Sequence, residues 1–151
     1  MTGERNLLRL VEIEPADEYR LQDQIGFVLR KAHQRHVAIF AAKIGDLTPP
    51  QFAALAKLAD VGETSQNQLG NLIAMDAATV KGVIDRLKAR GLVELTKHDA
   101  DKRRLLVNLT TEGRETVERL IPLAVQITTE TLQPLSPKEA ATLLKLLSRI
   151  A

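Results

Sequence analysis

The fold prediction rests on residues 69–95, LGNLIAMDAATVKGVIDRLKARGLVEL, and on the residues around them. Residues 65–68, SQNQ, have the form of a capping box and predict the start of a short helix. After a turn at residues 74–75, Asp76 can cap a second helix, and Gly91 lies where a left-handed helix end is expected. The apolar residues of this second helix recur at helical spacing: Val80, Val83, Ile84 and Leu87. The segment therefore predicts two short helices joined by a tight turn.

Two strand patterns follow this pair of helices. Residues 92–96, LVELT, and residues 105–109, LLVNL, are each short and rich in apolar side chains. The polar and charged residues 97–104 between them predict a hairpin loop. Two short helices followed by a hairpin with a basic tip form a winged helix-turn-helix. The predicted fold class is therefore mainly α with a small β-hairpin.

Longer helices are predicted on both sides of this region. An apolar stripe predicts one helix over residues 17–45, and Thr48 with two prolines begins a helix that ends at residues 61–62. Thr110 can cap a helix that runs to about residue 131 and should kink at Pro122. Ser136 begins a last helix with an apolar face. We predict one intertwined domain with an N-terminal region 1–46, a winged region 47–110 and C-terminal helices 111–151.

Composition excludes several classes of protein. The chain has 151 residues and no cysteine, so a disulfide scaffold and a thiolate metal site are impossible. Aromatic residues make up 3% of the chain, which argues against RNA-binding or single-strand-binding modules that stack bases. The sequence contains neither an apolar stretch long enough to span a membrane nor an apolar signal-peptide core. We therefore expect a cytoplasmic protein without a membrane partner.

Positive charge is concentrated in one part of the chain. Residues 81–104 contain eight basic and four acidic residues, a net charge of +4, whereas the whole chain has a net charge of +2. A basic segment in an otherwise slightly acidic protein indicates a polyanionic partner such as DNA. The alternative is a solvated surface on which the charges cluster by chance.

The second helix of the pair has the composition expected of a DNA recognition helix. Such a helix must enter a major groove about 12 Å wide, so its exposed residues should be small or polar. The candidates near its N-terminus are Ala77, Ala78, Thr79, Lys81 and Gly82. Arg86 is a further candidate, whereas we favour an ordinary solvated charge for Lys88. The rival interpretation is a winged helix that binds protein rather than DNA.

Three segments resemble the MarR (multiple antibiotic resistance regulator) family of bacterial transcription factors. They are residues 47–59, LTPPQFAALAKLA, residues 69–95, and residues 99–113, DADKRRLLVNLTTEG. The most specific features are the D-x-R pattern at Asp101 and Arg103 and the L-T-x-E-G pattern that ends at Gly113. The resemblance implies a homodimer held together by the first and the last two helices. It also implies a repressor of palindromic operator DNA that a small molecule releases.

The resemblance also implies roles for the residues of the hairpin. Arg103 would enter the minor groove and Asp101 would orient it, while Lys102 and Arg104 would contact phosphates. Many members of the family carry arginine or a larger polar residue at the position of Gly82. Lys81 would then be the main long hydrogen-bond donor to the bases.

The family's usual effector pocket lies between the dimer-forming helices and the winged domain. The residues that would line it here are His33, Arg35, His36, Phe40 and Phe52, with Ile121 and Val125 from the later helix. Arg35 or a histidine could receive a carboxylate. The resemblance implies an anionic aromatic effector, either an aromatic acid or its CoA thioester. His33 and His36 could begin a metal site, but the sequence offers no clear further ligands. We predict no cofactor and, without a recognisable catalytic motif, no enzymatic activity.

Overall fold

The structure, a computed structural model, describes residues 18–98, 100 and 104–151. These residues form six α-helices and three short strands. The helices are α1 (Ile25–Lys43), α2 (Pro49–Val61), α3 (Gln66–Leu72), α4 (Ala77–Ala89), α5 (Thr111–Leu132) and α6 (Pro137–Ile150). The strands are β1 (Thr64–Ser65), β2 (Val93–Lys97) and β3 (Leu105–Leu109). The predicted helix start at Asp17 and the hairpin residues Asp101, Lys102 and Arg103 lie outside the described residues.

The chain divides into two compact units, residues 1–34 and residues 35–151. The described part of the first unit contains a short 3-10 turn, Leu21–Asp23, and the first half of α1. Within it, the ammonium of Lys31 lies 5.8 Å from the centre of the Phe27 ring. The functional division predicted from the sequence, after residues 46 and 110, stays a prediction.

The second unit has one hydrophobic core. Helix α2 packs against α3, α4, α5 and β3, and α4 packs against β2. The largest side chains that are fully buried come from most of these elements: Ile44, Leu55, Leu69, Val80, Ile84, Leu87, Val93, Val107 and Leu120. Their burial supplies the main driving force for folding of this unit, because apolar surface leaves water. The two short helices α3 and α4 are followed by the hairpin of β2 and β3, so the predicted winged helix-turn-helix fold is confirmed.

The sheet is antiparallel with the strand order β1-β3-β2. Val107 at its centre pairs with Thr64 on one side and with Leu95 on the other. The sequence analysis predicted β2 and β3 but not β1, since a strand of two residues has no detectable alternation. Strand β2 also begins one residue later than expected, because the Leu92 N–H bonds to the Leu87 carbonyl at 3.0 Å and ends the preceding turn.

The predicted N-caps are confirmed. Each capping oxygen accepts a hydrogen bond from the backbone N–H three residues later, and the caps are Thr48, Ser65, Asp76, Thr110 and Ser136. Thr48 and Ser136 also complete reciprocal capping boxes with Gln51 and Glu139. These side chains satisfy backbone donors that have no partner within the helix, so they determine where each helix begins.

The ends of α1 differ from the prediction. Helix α1 begins at Ile25 because Gln24 has an extended backbone, with ψ at 138°. It ends at Lys43, and Gly45 is not among the residues with positive φ. The other predicted stops, Gly62 and Gly91, do have positive φ, at 80° and 74°. The kink expected at Pro122, which lies inside α5, stays a prediction.

Residues of the L-T-x-E-G pattern connect the start of α5 to the start of the hairpin. The Thr110 hydroxyl donates to the Gly91 carbonyl at 2.6 Å and also caps α5. A Cβ on Gly113 would lie 2.0 Å from the carbonyl oxygen of Leu92, which is closer than any real contact. This position therefore requires glycine, and the pattern has a packing role at the junction of hairpin and helix.

Within residues 18–98, 100 and 104–151, no helix combines the length and the hydropathy needed to cross a bilayer.

Candidate nucleic-acid interface and effector site

Helix α4 has one buried face and one exposed face. Its buried residues are Val80, Val83, Ile84 and Leu87, which hold the helix on the core. The opposite stripe, at the same spacing of three and four, consists of Ala78, Lys81, Gly82 and Asp85, all exposed. The helix therefore offers solvent a narrow ridge with two small residues and two charged ones, a shape suited to a major groove.

The N-terminus of α4 is closed by its own cap. Asp76 Oδ1 accepts from the Thr79 backbone N–H at 2.7 Å. This backbone bond, a second bond involving the Thr79 side chain and a weaker bond from the Ala78 backbone hold the pKa of the Asp76 carboxyl below its usual range. Thr79 and Ala78 are both exposed. The start of the helix is thus set in place before any partner arrives.

Two other candidates on α4 are exposed and differ in their surroundings. Lys81 Nζ makes an ion pair with Asp85 Oδ2 at 2.9 Å. Apart from the adjacent residues and the backbone of α4 itself, no atom lies within 4 Å of the position that a Cβ on Gly82 would occupy, so this glycine leaves open space on the ridge. Arg86 and Lys88 are exposed near the C-terminal end of the helix. The structure therefore brings Ala78, Lys81 and Gly82 onto one face.

A further backbone bond extends the hairpin at its loop end. The His98 N–H donates to the Arg104 carbonyl at 2.9 Å, one pair beyond the end of the ladder. Arg104 is exposed at this position. The candidates Asp101, Lys102 and Arg103 follow in the loop, and they lie outside the described residues.

Arg90 belongs to the basic segment but has a structural role. Its guanidinium donates to the backbone carbonyl of Asp46 and to the Asp46 carboxylate, the latter at 3.3 Å. The contact joins the end of α4 to the loop between α1 and α2. One of the eight positive charges counted in the sequence therefore makes a contact within the fold.

The effector candidates fall into separate groups. Phe40 is buried and Phe52 half-buried, with ring centres 6.2 Å apart and planes tilted by 59°. Arg35 and His36 instead contact the last turn of α5. His33 lies exposed on the part of α1 that belongs to the first unit.

The contacts of Arg35 and His36 involve the C-terminal end of α5. The Arg35 guanidinium donates to the Glu130 carbonyl at 2.8 Å and to the Thr131 carbonyl. His36 Nδ1 and Thr131 Oγ1 are 2.9 Å apart and hydrogen-bonded. A cation at the C-terminal end of a helix can donate hydrogen bonds to the last carbonyls, and it is attracted by the negative end of the helix dipole. The sequence analysis missed this role, since nothing in the local pattern connects residues almost 100 positions apart.

A shallow groove of about 350 Å³ lies beside this contact. Its lining comes from α1 and α5: Lys43, Val125, Gln126, Thr129, Glu130 and Gln133. Lys43 Nζ lies 3.3 Å from Glu130 Oε2, so the cation in the groove is already paired. No group of three potential metal ligands occurs among residues 18–98, 100 and 104–151.

The C-terminal helix leaves apolar surface uncovered. None of the residues of α6 is buried, although the helix is strongly amphipathic. Its exposed apolar side chains are Leu143, Leu144, Leu146 and Ile150. Contiguous exposed apolar surface of this kind marks an interaction site.

Comparison with known proteins places these features in a family. The sequence model of the MarR family matches residues 45–104, which include the described helix-turn-helix and part of the hairpin. The HTH-type transcriptional repressor NicR of Pseudomonas putida is 40% identical over 134 residues, which cover 87% of this chain and 85% of NicR.

Solved structures agree with this assignment. A probable transcriptional regulator from Pseudomonas aeruginosa is 52% identical and superposes with a TM-score of 0.84, over 87% of this chain and 100% of the other. BpsR of Bordetella bronchiseptica is 44% identical with the same TM-score, over 87% of this chain and 96% of BpsR. The DNA binding of BpsR is regulated by 6-hydroxynicotinic acid. Together with the winged helix-turn-helix observed above, these similarities show that the chain belongs to the MarR family of transcriptional regulators.

Proposed function

We propose that this protein is a homodimeric repressor that binds a palindromic operator and leaves it when a small aromatic acid binds. The observation that carries the proposal is the exposed ridge of α4, which is followed along the chain by a hairpin of basic sequence. The ridge would enter the major groove, and the hairpin would follow the backbone into the adjacent minor groove. The protein would act without catalysis, in the cytoplasm, where the DNA is.

The DNA contacts would come from two elements. On α4 we assign Ala78, Thr79, Lys81 and Gly82 to the surface that faces the bases, with Lys81 as the main long donor, and a phosphate contact to Arg86. In the hairpin, by resemblance to the family, Arg103 would insert into the minor groove with Asp101 orienting it. Lys102 and Arg104 would neutralise phosphates, which contribute affinity but little sequence information.

The uncovered apolar face of α6 supports the homodimer. Leu143, Leu144, Leu146 and Ile150 are between 37% and 69% exposed in the single chain. A second copy would cover them through a two-fold interface, and a two-fold dimer matches a palindromic operator. The half-sites would then be about one helical turn, roughly 34 Å, apart.

We propose a hydroxylated aromatic or heteroaromatic acid as the effector. The support is the similarity to BpsR, whose DNA binding responds to 6-hydroxynicotinic acid. The residues assigned to its site are His33, Arg35, His36, Phe40 and Phe52. Arg35 supports a link to regulation, because a carboxylate that bound its guanidinium would compete with the carbonyls at the end of α5. The CoA thioester of such an acid is the second candidate.

Titration with salt tests the DNA-binding proposal. Affinity for the promoter DNA next to the protein's own gene should fall steeply, with a log–log slope of about −0.9 per neutralised phosphate. Arg103→Ala should cost about 1–3 kcal/mol of binding free energy, and the control Lys88→Ala far less. A salt-independent or absent interaction would favour the rival function, a winged helix that binds protein.

Thermal unfolding tests the effector proposal. Phenolic and hydroxynicotinic acids and their CoA thioesters are each added to the protein, and the unfolding temperature is measured. The true effector raises this temperature and weakens operator binding at the same concentrations, since linkage between two sites is reciprocal. A panel that shifts neither quantity contradicts the proposed chemical class.

A further inference from the structure

The exposed ridge of α4 contains an acid that phosphate binding does not explain. Lys81 Nζ lies 2.9 Å from Asp85 Oδ2, and the two side chains are 66% and 55% exposed. Ala78 lies one turn before Lys81, and Gly82 leaves open space beside the pair. A carboxylate repels phosphate oxygens, so Asp85 lowers the affinity of this ridge for a DNA backbone. Where the DNA instead presents a hydrogen-bond donor, the same carboxylate makes a favourable contact.

The ion pair presents a donor and an acceptor side by side. The lysine ammonium only donates hydrogen bonds, and the ionised carboxylate only accepts them. The major-groove edge of a G·C pair shows the N7 and O6 acceptors of guanine next to the N4 amino donor of cytosine. Lysine is a common partner of guanine, and aspartate accepts from cytosine N4. An A·T pair instead has the donor between two acceptors and matches the Lys81–Asp85 order less well.

The surroundings of the pair allow it to approach the bases. The neighbouring positions on the ridge are an alanine and a glycine, which add almost no bulk between the helix and the groove floor. The turn that carries Lys81 and Asp85 also carries Val83 and Ile84, which are buried and hold it on the core. The spacing of four residues places the two charged groups side by side on the surface of the helix.

We infer that Lys81 and Asp85 act together as the determinant for one G·C base pair in each half-site of the operator. Lys81 donates to guanine and Asp85 accepts from the N4 amino group of cytosine. In the free protein Asp85 neutralises Lys81, which weakens binding to non-specific DNA. The inference rests on the proposed DNA-binding function and adds the base that this part of α4 recognises.

Selection of bound sequences from a library of randomised duplexes tests the inference. The full-length wild-type protein should enrich G·C at one symmetric position in each half-site. In competition titrations, Lys81→Ala and Asp85→Ala should each reduce the preference for G·C over A·T at that position about tenfold per half-site. Asp85→Ala should also bind non-specific DNA more tightly than the wild type does, because it removes a negative charge from the ridge.

A second ion pair on the surface provides the control. Lys57 and Asp60 of α2 are 3.5 Å apart and have no place in the proposed interface. Asp60→Ala removes a negative charge in the same way and should leave the base preference unchanged. Circular dichroism of each variant verifies that the helix content of the protein is unchanged.

Each alternative result has a definite meaning. An Asp85→Ala variant that binds the operator with the wild-type preference for G·C overturns the inference and leaves the DNA-binding function standing. Enrichment of A·T at the position that depends on Lys81 overturns the assignment of the base. A wild-type protein that binds no duplex in a salt-dependent manner overturns the proposed function and this inference with it.

Discussion

At the scale of single residues, Gly113 and Gly82 make a contrasting pair, since both are helical glycines. A Cβ on Gly113 would overlap the Leu92 carbonyl oxygen, whereas a Cβ on Gly82 would meet no atom within 4 Å outside its own stretch of helix. We expect Gly113→Ala to lower the free energy of unfolding by about 1–3 kcal/mol or more, because backbone must move. Gly82→Ala should raise it by up to about 1 kcal/mol, the usual gain of alanine in a helix. Urea denaturation measures both, and equal effects would contradict the packing argument.

At the same scale, the helix cap Asp76 makes the free energy of unfolding depend on pH. The backbone N–H of Thr79 lowers the pKa of this carboxyl, so the folded state favours the charged form. Its contribution to stability is complete above the unfolded pKa of about 4 and is lost as the pH falls through the lowered folded value. Asp76→Asn keeps a capping oxygen without titrating, so the wild type should lose stability relative to this variant between pH 6 and pH 3. Urea denaturation at both pH values measures the free energies of unfolding of the wild type and of Asp76→Asn. If the difference between the two proteins is the same at pH 6 and at pH 3, the role of the cap is contradicted.

At the scale of elements, Arg35 ties α1 to the end of α5. Its guanidinium donates to the carbonyls of Glu130 and Thr131, which lie in the last turn of that helix. We expect Arg35→Ala to lower the free energy of unfolding by about 0.5–1.5 kcal/mol, the usual net value of a hydrogen bond. Arg119→Ala is the matched control, because Arg119 is exposed on α5. Its side chain has no hydrogen bond or ion pair with residues 18–98, 100 and 104–151. Equal denaturation midpoints for the two variants would show that the tie contributes nothing.

At the scale of the whole molecule, the apolar face of α6 determines the expected assembly. Leu146 and Ile150 are 50% and 69% exposed in the single chain. The double variant Leu146→Glu, Ile150→Glu places charge in the proposed interface, so we expect a monomer at micromolar concentration and weakened operator binding. Ser148→Glu adds the same kind of charge at an exposed position between them on the chain and should remain dimeric. Light scattering after size-exclusion chromatography measures the mass, and a dimeric double variant would contradict this assignment.

The sequence predictions succeeded where the interacting residues are close together in the sequence. The N-caps Thr48, Asp76 and Ser136 were predicted because each bond joins residues three positions apart. The buried stripe of α4 and the bounds of β3 were predicted from periodicity. Strand β1 was missed because its two residues become a strand only when β3 lies beside them. The assignments of the effector residues and of Asp101, Lys102 and Arg103 stay predictions.

The sequence by itself determined the capped starts of α2 to α6, the glycine stops at residues 62 and 91 and the amphipathic helices, because each depends on neighbours within about one turn. Tertiary structure alone decided that Arg90 binds Asp46 and that Arg35 and His36 meet the end of α5. These partners are 44 to 96 residues apart, and the packing of the core brings them together. The same packing turns the remaining face of α4 toward solvent, since burying one side of an amphipathic helix leaves the opposite side free for a partner.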